Sequence, residues 1–315
     1  MNKEWKKKFS RGTGWVLMSW TFYTIKFLPL SFVLFFGRVF GLLGYIFSFK
    51  HRRIALESLR TAFNNNRSER EIGHTARECF KFMGEASWEM FYFLRRPELI
   101  KERVEISGKE TLDKALEEGR GVIALTAHFG DFPLMCLRLA KEGYTVNTMA
   151  VPMRDQRTGR FIQKLRDDSG VKTIFSYPRK KAVFDSLKAL EKNEILVIQM
   201  DQNFGTGGVW VKFFGKLAAT PVGPVVLGLR SESAVVPVFI VRKSGGRHII
   251  FIEEKVPLEK KDDKNETVLV NAVKLTKIIE RWVRSYPELW GWIHRRWKSR
   301  PSDRVKNLKF KVQKD

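Results

Sequence analysis

The sequence predicts an α/β protein: a largely parallel central sheet flanked by helices, preceded by an apolar helical segment at the N-terminus. Three observations carry that reading. From residue 102 onward, short β-branched runs alternate with stretches of helical period, the pattern of parallel strands joined by crossover helices. Residues 51–100 carry only helical periodicity. Residues 1–50 fit neither pattern, being almost wholly apolar and aromatic after a basic start.

The first segment opens "MNKEWKKKFSRG" and continues "TGWVLMSWTFYTIKFLPLSFVLFFGRVFGLLGYIFSFK", broken by Lys26, Pro29 and Arg38. A spanning helix needs roughly 20 apolar residues. The charge-free stretches here are shorter, and Pro29 predicts a break or kink. No small-residue cleavage site follows the basic start, so the segment reads as an uncleaved membrane anchor and not as a removed signal peptide. It is either two short helices dipping into one leaflet or one kinked span. Trp15, Trp20, Tyr23 and Tyr45 suit the headgroup layer. The competing use of such a segment is an apolar hairpin that covers a soluble core.

Next, "HRRIALESLRTAF" repeats Ile54, Leu56, Leu59 and Phe63 at helical spacing. Ser68 is a candidate N-cap for a second helix, "EREIGHTARECFKFMGEASWEMFYFL". His74 lies on that helix without a partner in view and reads as structural. The expected strands are "GVIALTA", "TVNTMAV", "VKTIF", "EILVIQM", "AVVPVFIV" and "HIIFIEEKV". Helical stretches such as "LMCLRLAKEG", "RTGRFIQKLRDDSG" and "KKAVFDSLKALEKN" separate the earlier ones. Gly245-Gly246 signals a hairpin, so one edge of the sheet is expected to be antiparallel. "KNETVLVNAVKLTKIIERWVRSYPE" is a closing amphipathic helix. The expected organisation is an anchor over 1–50, an α/β domain over 51–300 and a basic tail over 301–315.

Bulk composition narrows the function. The net charge of +24 over 315 residues implies acidic partners: nucleic acid, anionic lipid headgroups or an acidic protein. Cys79 and Cys136 are the only cysteines and sit in apolar contexts, which fits buried thiols in a reducing compartment. The five histidines are scattered, so no metal site is expected. A nucleic-acid binder would need a recognisable module or a basic groove interleaved with aromatics, and the sequence has neither.

The stretch "IALTAHFGDFPLM" ends an apolar run in His128-Phe129-Gly130-Asp131. Ligands of open α/β sheets collect at the carboxyl ends of strands. An imidazole held there meets solvent and substrate, and it titrates near neutrality, so it can take and return a hydroxyl proton. A strand-end histidine bonded to a loop is the alternative.

Three blocks, "TAHFGDFPLM", "MDQNFGTGGVWVKFFGKLAATPVGPVVLGLRSESAVVPVFIVR" and "ELWGWIHRRWKSRP", together resemble the lipid A biosynthesis (lauroyl/myristoyl) acyltransferases of the lysophospholipid acyltransferase-like superfamily. The resemblance runs over nearly the whole chain. It implies a glycerolipid acyltransferase-like fold and a membrane-bound transferase on the cytoplasmic face of the inner membrane. The donor would be acyl carrier protein or coenzyme A, the acceptor a hydroxyl of an anionic glycolipid, with membrane lipids as surroundings and no cofactor. His128 matches the family's base. Arg166 matches a family arginine, with Arg154 as a second candidate, for a headgroup phosphate or the developing oxyanion. Asp201 and Gln202 follow a strand and are expected at the substrate. His294, Arg295 and Arg296 match the family's closing motif, as structural or headgroup contacts. Phe213-Phe214-Gly215 and Thr220-Pro221 read as packing and turn chemistry near the site.

The chain departs from the family in one place. The usual pattern is His, four residues, then an acid, but Pro133 occupies that position. Three options stay open: Asp131 orients His128, Asp201 does so from another strand, or no carboxylate does. Asp131 also suits a helix N-cap. Loss of the acid would fit an inactive membrane scaffold of the same fold.

Overall fold

A computed structural model describes residues 3–63, 66–205 and 207–301. The basic tail expected at 301–315 lies outside the described residues beyond Pro301. The N-terminal segment forms α1 (Lys3–Thr24) and α2 (Leu30–Phe47), separated by a 3-10 turn over Ile25–Phe27. Pro29 makes the break. It holds Leu28 extended, with φ −89° and ψ 142°, because a residue before proline is disfavoured in the helical region.

Two more helices follow, α3 (Phe49–Phe63) and α4 (Glu69–Arg95). Ser68 caps α4 with a complete capping box, its side chain accepting from the Glu71 amide while Glu71 returns to the Ser68 amide. α2 crosses α4 at glycines. A Cβ on Gly84 would stand 2.2 Å from the Gly37 carbonyl oxygen, and one on Gly41 2.2 Å from that of Phe80. The two backbones therefore touch, as helix crossings lined by small residues allow. One side of this N-terminal unit joins the core through Ile25 and Val33. The other leaves Phe32, Phe35, Phe40, Leu43 and Phe47 exposed. At 18 residues, α2 is long and apolar enough to cross a membrane by length and composition.

The α/β part runs α5 (Ile100–Arg103), β1 (Val104–Ser107), α6 (Lys109–Glu117), β2 (Val122–Thr126), α7 (Phe132–Lys141), β3 (Val146–Ala150), α8 (Gln156–Asp168), β4 (Val171–Phe175), α9 (Arg179–Glu191) and β5 (Ile195–Gln199). It continues with β6 (Val209–Phe213), β7 (Lys216–Thr220), α10 (Gly223–Ser231), β8 (Ala234–Arg242), β9 (His248–Ile252) and α11 (Lys264–Ser285). Seven strands form one sheet in the order β1-β9-β8-β2-β5-β3-β4. All neighbours are parallel except β8 and β9. The antiparallel pair expected from Gly245-Gly246 is thus present, but it lies one strand in from the edge, because the short β1 covers β9.

The central strands are buried on both faces, so they read as unbroken apolar runs. Their side chains alternate between two cores. Ile123, Leu125 and Ala127 join one core with α3, α4 and α11, while Val122 and Ala124 join the other with α6 and α7. β6 and β7 form a separate hairpin. Its turn is Phe214-Gly215, with φ of +51° and +73°, the two positive values that a tight hairpin turn requires.

Candidate active site

Adjacent strands β2 and β5 are parallel, with Thr126 paired to Gln199. Two residues beyond that pair, the chains carry His128 and Asp201 side by side. His128 Nδ1 lies 2.9 Å from Asp201 Oδ1, and the His128 amide donates to Asp201 Oδ2 at 3.0 Å. A third donor, Trp290 Nε1, reaches Oδ2 at 2.8 Å from the C-terminal segment. That segment is stitched to the His128 turn: the Gly130 amide donates to Leu289 at 2.8 Å, and the Gly291 amide to His128 at 3.0 Å. Gly130 is required there. Its φ is +57°, and a Cβ would stand 2.0 Å from the Ile240 carbonyl oxygen.

The electrostatics follow from this geometry. Burial alone would push the fully buried Asp201 upward, but the charge of His128 and the hydrogen bonds from His128 and Trp290 outweigh it and hold the carboxyl below its ordinary value. Burial pulls His128 down, and the Asp201 charge and hydrogen bond more than reverse that, leaving His128 raised. Because Nδ1 is committed to Asp201, Nε2 is the nitrogen left to accept a proton.

His128 opens on a cavity of about 1160 Å³ between α7, α8, α9, α10 and the carboxyl ends of β3, β4 and β5. Its wall is mostly apolar, with Phe132, Leu137, Met149, Ile162, Ile198 and Leu227. At its edge Val151, Met153 and Tyr177 are exposed. The volume and the alkyl lining suit a long hydrocarbon chain.

The sequence-derived candidates separate into three groups. His128, Arg166 and Gln202 line the cavity. Burial lowers the Arg166 guanidinium below its ordinary value. Asp201 stands behind His128, its carboxylate against Nδ1, and is not among the residues lining the cavity. Asp131 and Arg154 lie apart. Asp131 caps α7, its carboxylate accepting from the Leu134 amide at 3.0 Å. Burial pushes it up to about 7, and its charged neighbours are His248, Glu89 and Arg242, not His128. An N-cap carboxylate must turn toward its own helix, and this takes Asp131 away from the imidazole. Arg154 is exposed in the bend before α8 and outside the cavity lining, although Met153 and Gln156 beside it belong to that lining.

The closing motif divides as well. Arg296 is fully buried, donating to the carbonyl of Ala219 at 2.5 Å and to Thr220 Oγ1 at 2.6 Å. Burial lowers it to about 10. His294 is held below its ordinary value chiefly by burial, with the nearby Asp201 opposing and the charges of His128, Arg296 and Lys298 adding to the fall. Arg295 faces solvent. Sequence reasoning missed Trp290. Its indole in an otherwise apolar run was the available signal, since a buried Trp N–H needs an acceptor. Among the described residues no group of three or more His, Cys, Asp or Glu could hold a metal ion.

An imidazole backed by a buried carboxylate thus stands at the head of an apolar cavity, at the carboxyl ends of strands in a largely parallel α/β sheet, the place where such folds collect ligands. Comparison with known proteins is more specific: the chain belongs to the bacterial lipid A biosynthesis acyltransferases, whose family model matches residues 2–299. It is an acyltransferase. It is 27% identical over 307 residues to the lipid A biosynthesis palmitoleoyltransferase of Escherichia coli (strain K12), covering 94% of this chain and 92% of that protein. It is 25% identical over 280 residues to the lipid A biosynthesis lauroyltransferase of the same organism, covering 87% and 88%. Among solved structures it resembles the 1-acyl-sn-glycerophosphate acyltransferase PlsC from Thermotoga maritima, with a TM-score of 0.35 and 14% identity over 76% of this chain and 97% of that one.

Proposed function

We propose that the protein is a membrane-associated enzyme that moves a fatty acyl chain from acyl carrier protein, or from coenzyme A, to a hydroxyl of a lipid A precursor. In this reading it works at the cytoplasmic face of the inner membrane. The observation that carries the mechanism is the relay Trp290–Asp201–His128 ending at the apolar cavity. His128 Nε2 takes the proton of the acceptor hydroxyl as that oxygen attacks the thioester carbonyl. The tetrahedral intermediate collapses, the C–S bond breaks, and the imidazolium returns the proton to the leaving thiolate. An ester and a free thiol result. Asp201 keeps the proton on Nδ1 and stabilises the transient imidazolium, as in other imidazole–carboxylate pairs. The cavity takes the acyl chain, and Arg166 on its wall supplies positive charge for the oxyanion or a headgroup phosphate.

Membrane association is supported by the exposed aromatic and aliphatic face of α2. The Asp201 contact supports a working base despite Pro133, which disfavours the scaffold alternative. The test is acyl transfer to a lipid A precursor from acyl carrier protein and from coenzyme A, with the wild type and His128→Ala. His128→Ala keeps fold and membrane pelleting but loses about 100- to 10,000-fold in rate. A His128→Ala protein that acylates at the wild-type rate removes the base assignment.

A further inference from the structure

Between α3 and the chain that follows His294 lies an open groove of about 830 Å³. Lys50 and Arg53 line it from one side, and Arg295, Lys298 and Arg300 from the other. The one carboxylate in its lining is Glu57, already taken by Arg53 at 2.8 Å. Among the described residues, the side chains of Lys50, Arg295, Lys298 and Arg300 form no ion pair. Like charges gathered on one concave wall repel, and an anion in the groove relieves that repulsion.

Position narrows the class of anion. α3 starts two residues after α2 ends. Phe49, 67% exposed, lines the groove, and Phe47, 70% exposed, ends α2 two residues earlier. If the exposed face of α2 lies in lipid, as proposed above, Lys50 and Arg53 stand at headgroup depth. Cations placed immediately outside an apolar helix attract the phosphates of anionic lipids. The opposite wall follows Gly291, whose amide donates to the His128 carbonyl at 3.0 Å. The groove and the acyl cavity are therefore joined by a few residues of chain. A concave site suits a compact headgroup, whereas the face of a folded acidic protein would need a broad, flatter patch.

We propose that this groove binds the phosphate of a lipid headgroup, a reading that rests on the membrane association proposed above. The phosphate can come from the acceptor glycolipid itself or from a neighbouring anionic phospholipid, and two assays on the full-length protein separate these sources. Lys50→Ala, Arg295→Ala and Lys298→Ala are made singly and together. Their exposed side chains form no ion pair among the described residues, so the substitutions leave the fold intact, which circular dichroism checks. In the first assay the proteins are sedimented with phosphatidylcholine vesicles, with and without phosphatidylglycerol. Each substitution weakens binding to the anionic vesicles about fivefold and leaves neutral vesicles unaffected. Lys192→Ala, an exposed cation outside the groove, leaves both unaffected.

The second assay compares KM and kcat for a phosphorylated acceptor and its dephosphorylated form. A rise in KM confined to the phosphorylated acceptor, with kcat held, supports the proposal and assigns the phosphate to the acceptor. Weaker anionic-vesicle binding with unchanged acceptor KM supports it and assigns the phosphate to a neighbouring phospholipid. The proposal is overturned if neither assay responds, or if Lys192→Ala weakens vesicle binding as much as the groove variants do. It is also overturned if the only effect is a higher KM for acyl carrier protein with acyl-coenzyme A kinetics unchanged, which would make the groove a protein dock. The vesicle assay needs no turnover and is repeated in His128→Ala, so a failed base assignment leaves it intact. Wild-type protein that fails to bind even neutral vesicles would refute the membrane reading separately.

Discussion

Asp201→Asn tests the core of the proposed mechanism, because the carboxylate receives three donors with only two oxygens. Oδ2 accepts from the His128 amide and Trp290 Nε1, and Oδ1 faces His128 Nδ1. An amide keeps one acceptor oxygen. If that oxygen stays with the His128 amide and Trp290, the NH₂ group confronts Nδ1. The imidazole must then carry its proton on Nε2, where it cannot act as a base. If the amide flips, two buried donors lose their acceptor at a cost of about 1–3 kcal/mol each, so the first arrangement is preferred. The corresponding change in a Ser-His-Asp triad costs about 10⁴ in kcat, and a loss of that order is expected here.

The pH dependence moves as well. The proposed base is neutral His128, whose pKa is raised in the wild type because the Asp201 charge and hydrogen bond outweigh burial. Burial alone remains in the variant, so the acidic limb of kcat/KM shifts to lower pH. Stability carries the same signature. The raised His128 contributes stability below the ordinary histidine pKa, lost as pH rises through its folded value. The lowered Asp201 contributes stability above the ordinary aspartate pKa, lost as pH falls through its folded value. Asp201→Asn removes both contributions and should therefore lower stability most between the ordinary aspartate and histidine values. The assay is kcat/KM against pH alongside thermal melts. A rate within tenfold of wild type and an unmoved acidic limb would refute the reasoning.

Three further outcomes are expected. Asp131→Asn is nearly silent in rate, since Asn caps a helix about as well as Asp. Because burial pushes the Asp131 carboxyl up to about 7, it costs stability as pH rises from its ordinary range toward that value. Denaturant titrations of the variant should lose this part of the slope. Gly84→Ala forces a Cβ to within 2.2 Å of the Gly37 carbonyl and should cost about 1–3 kcal/mol by overpacking; an unchanged melting temperature would mean that the α2–α4 crossing yields freely. Phe35→Asp with Phe40→Asp, both on the exposed face of α2, should release protein from salt-washed membranes, and full retention would argue against insertion through that face.

Sequence alone made the sheet legible where strands are long and buried on both faces. β2, β5 and β8 announce themselves as apolar β-branched runs, and the Pro29 break and the Ser68 cap follow from local chemistry. What escaped it was short or ambiguous. β1 has four residues between helices. β6 and β7 carry Trp210, Lys212 and Lys216 among their apolar residues, so Phe214-Gly215 read as a turn without its strands. α10 opens with Gly223-Pro224, which looks like loop. The site divides along the same line. His128 stood out because an imidazole ends an apolar strand. Asp131 competed for the orienting role only through nearness in sequence, and the geometry of a helix N-cap takes its carboxylate elsewhere.

Asp201 illustrates what a single sequence withholds. Its distance past the end of β5 equals that of His128 past the end of β2, and this equality is readable from the chain. Its meaning is not, because it depends on β2 and β5 being neighbours in register, and 73 residues separate the two side chains. Once the strands are adjacent, equal offsets bring imidazole and carboxylate together without any local motif. The same register accounts for Pro133. At the second position of α7 a proline loses no hydrogen bond, since the amides of the first turn have no partner within the helix. An acid at that position could orient His128 only by reaching back across the turn. With the proposed orienting role carried by Asp201, and Trp290 holding that carboxylate in place, position 133 is free for a residue that suits the start of a helix. On this account the departure from the family's usual spacing moves the carboxylate to another strand and does not remove it. A double variant carrying Pro133→Glu and Asp201→Asn decides the matter: recovery of activity above Asp201→Asn alone would show that the two positions can exchange the role, and no recovery would show that the β5 carboxylate is required.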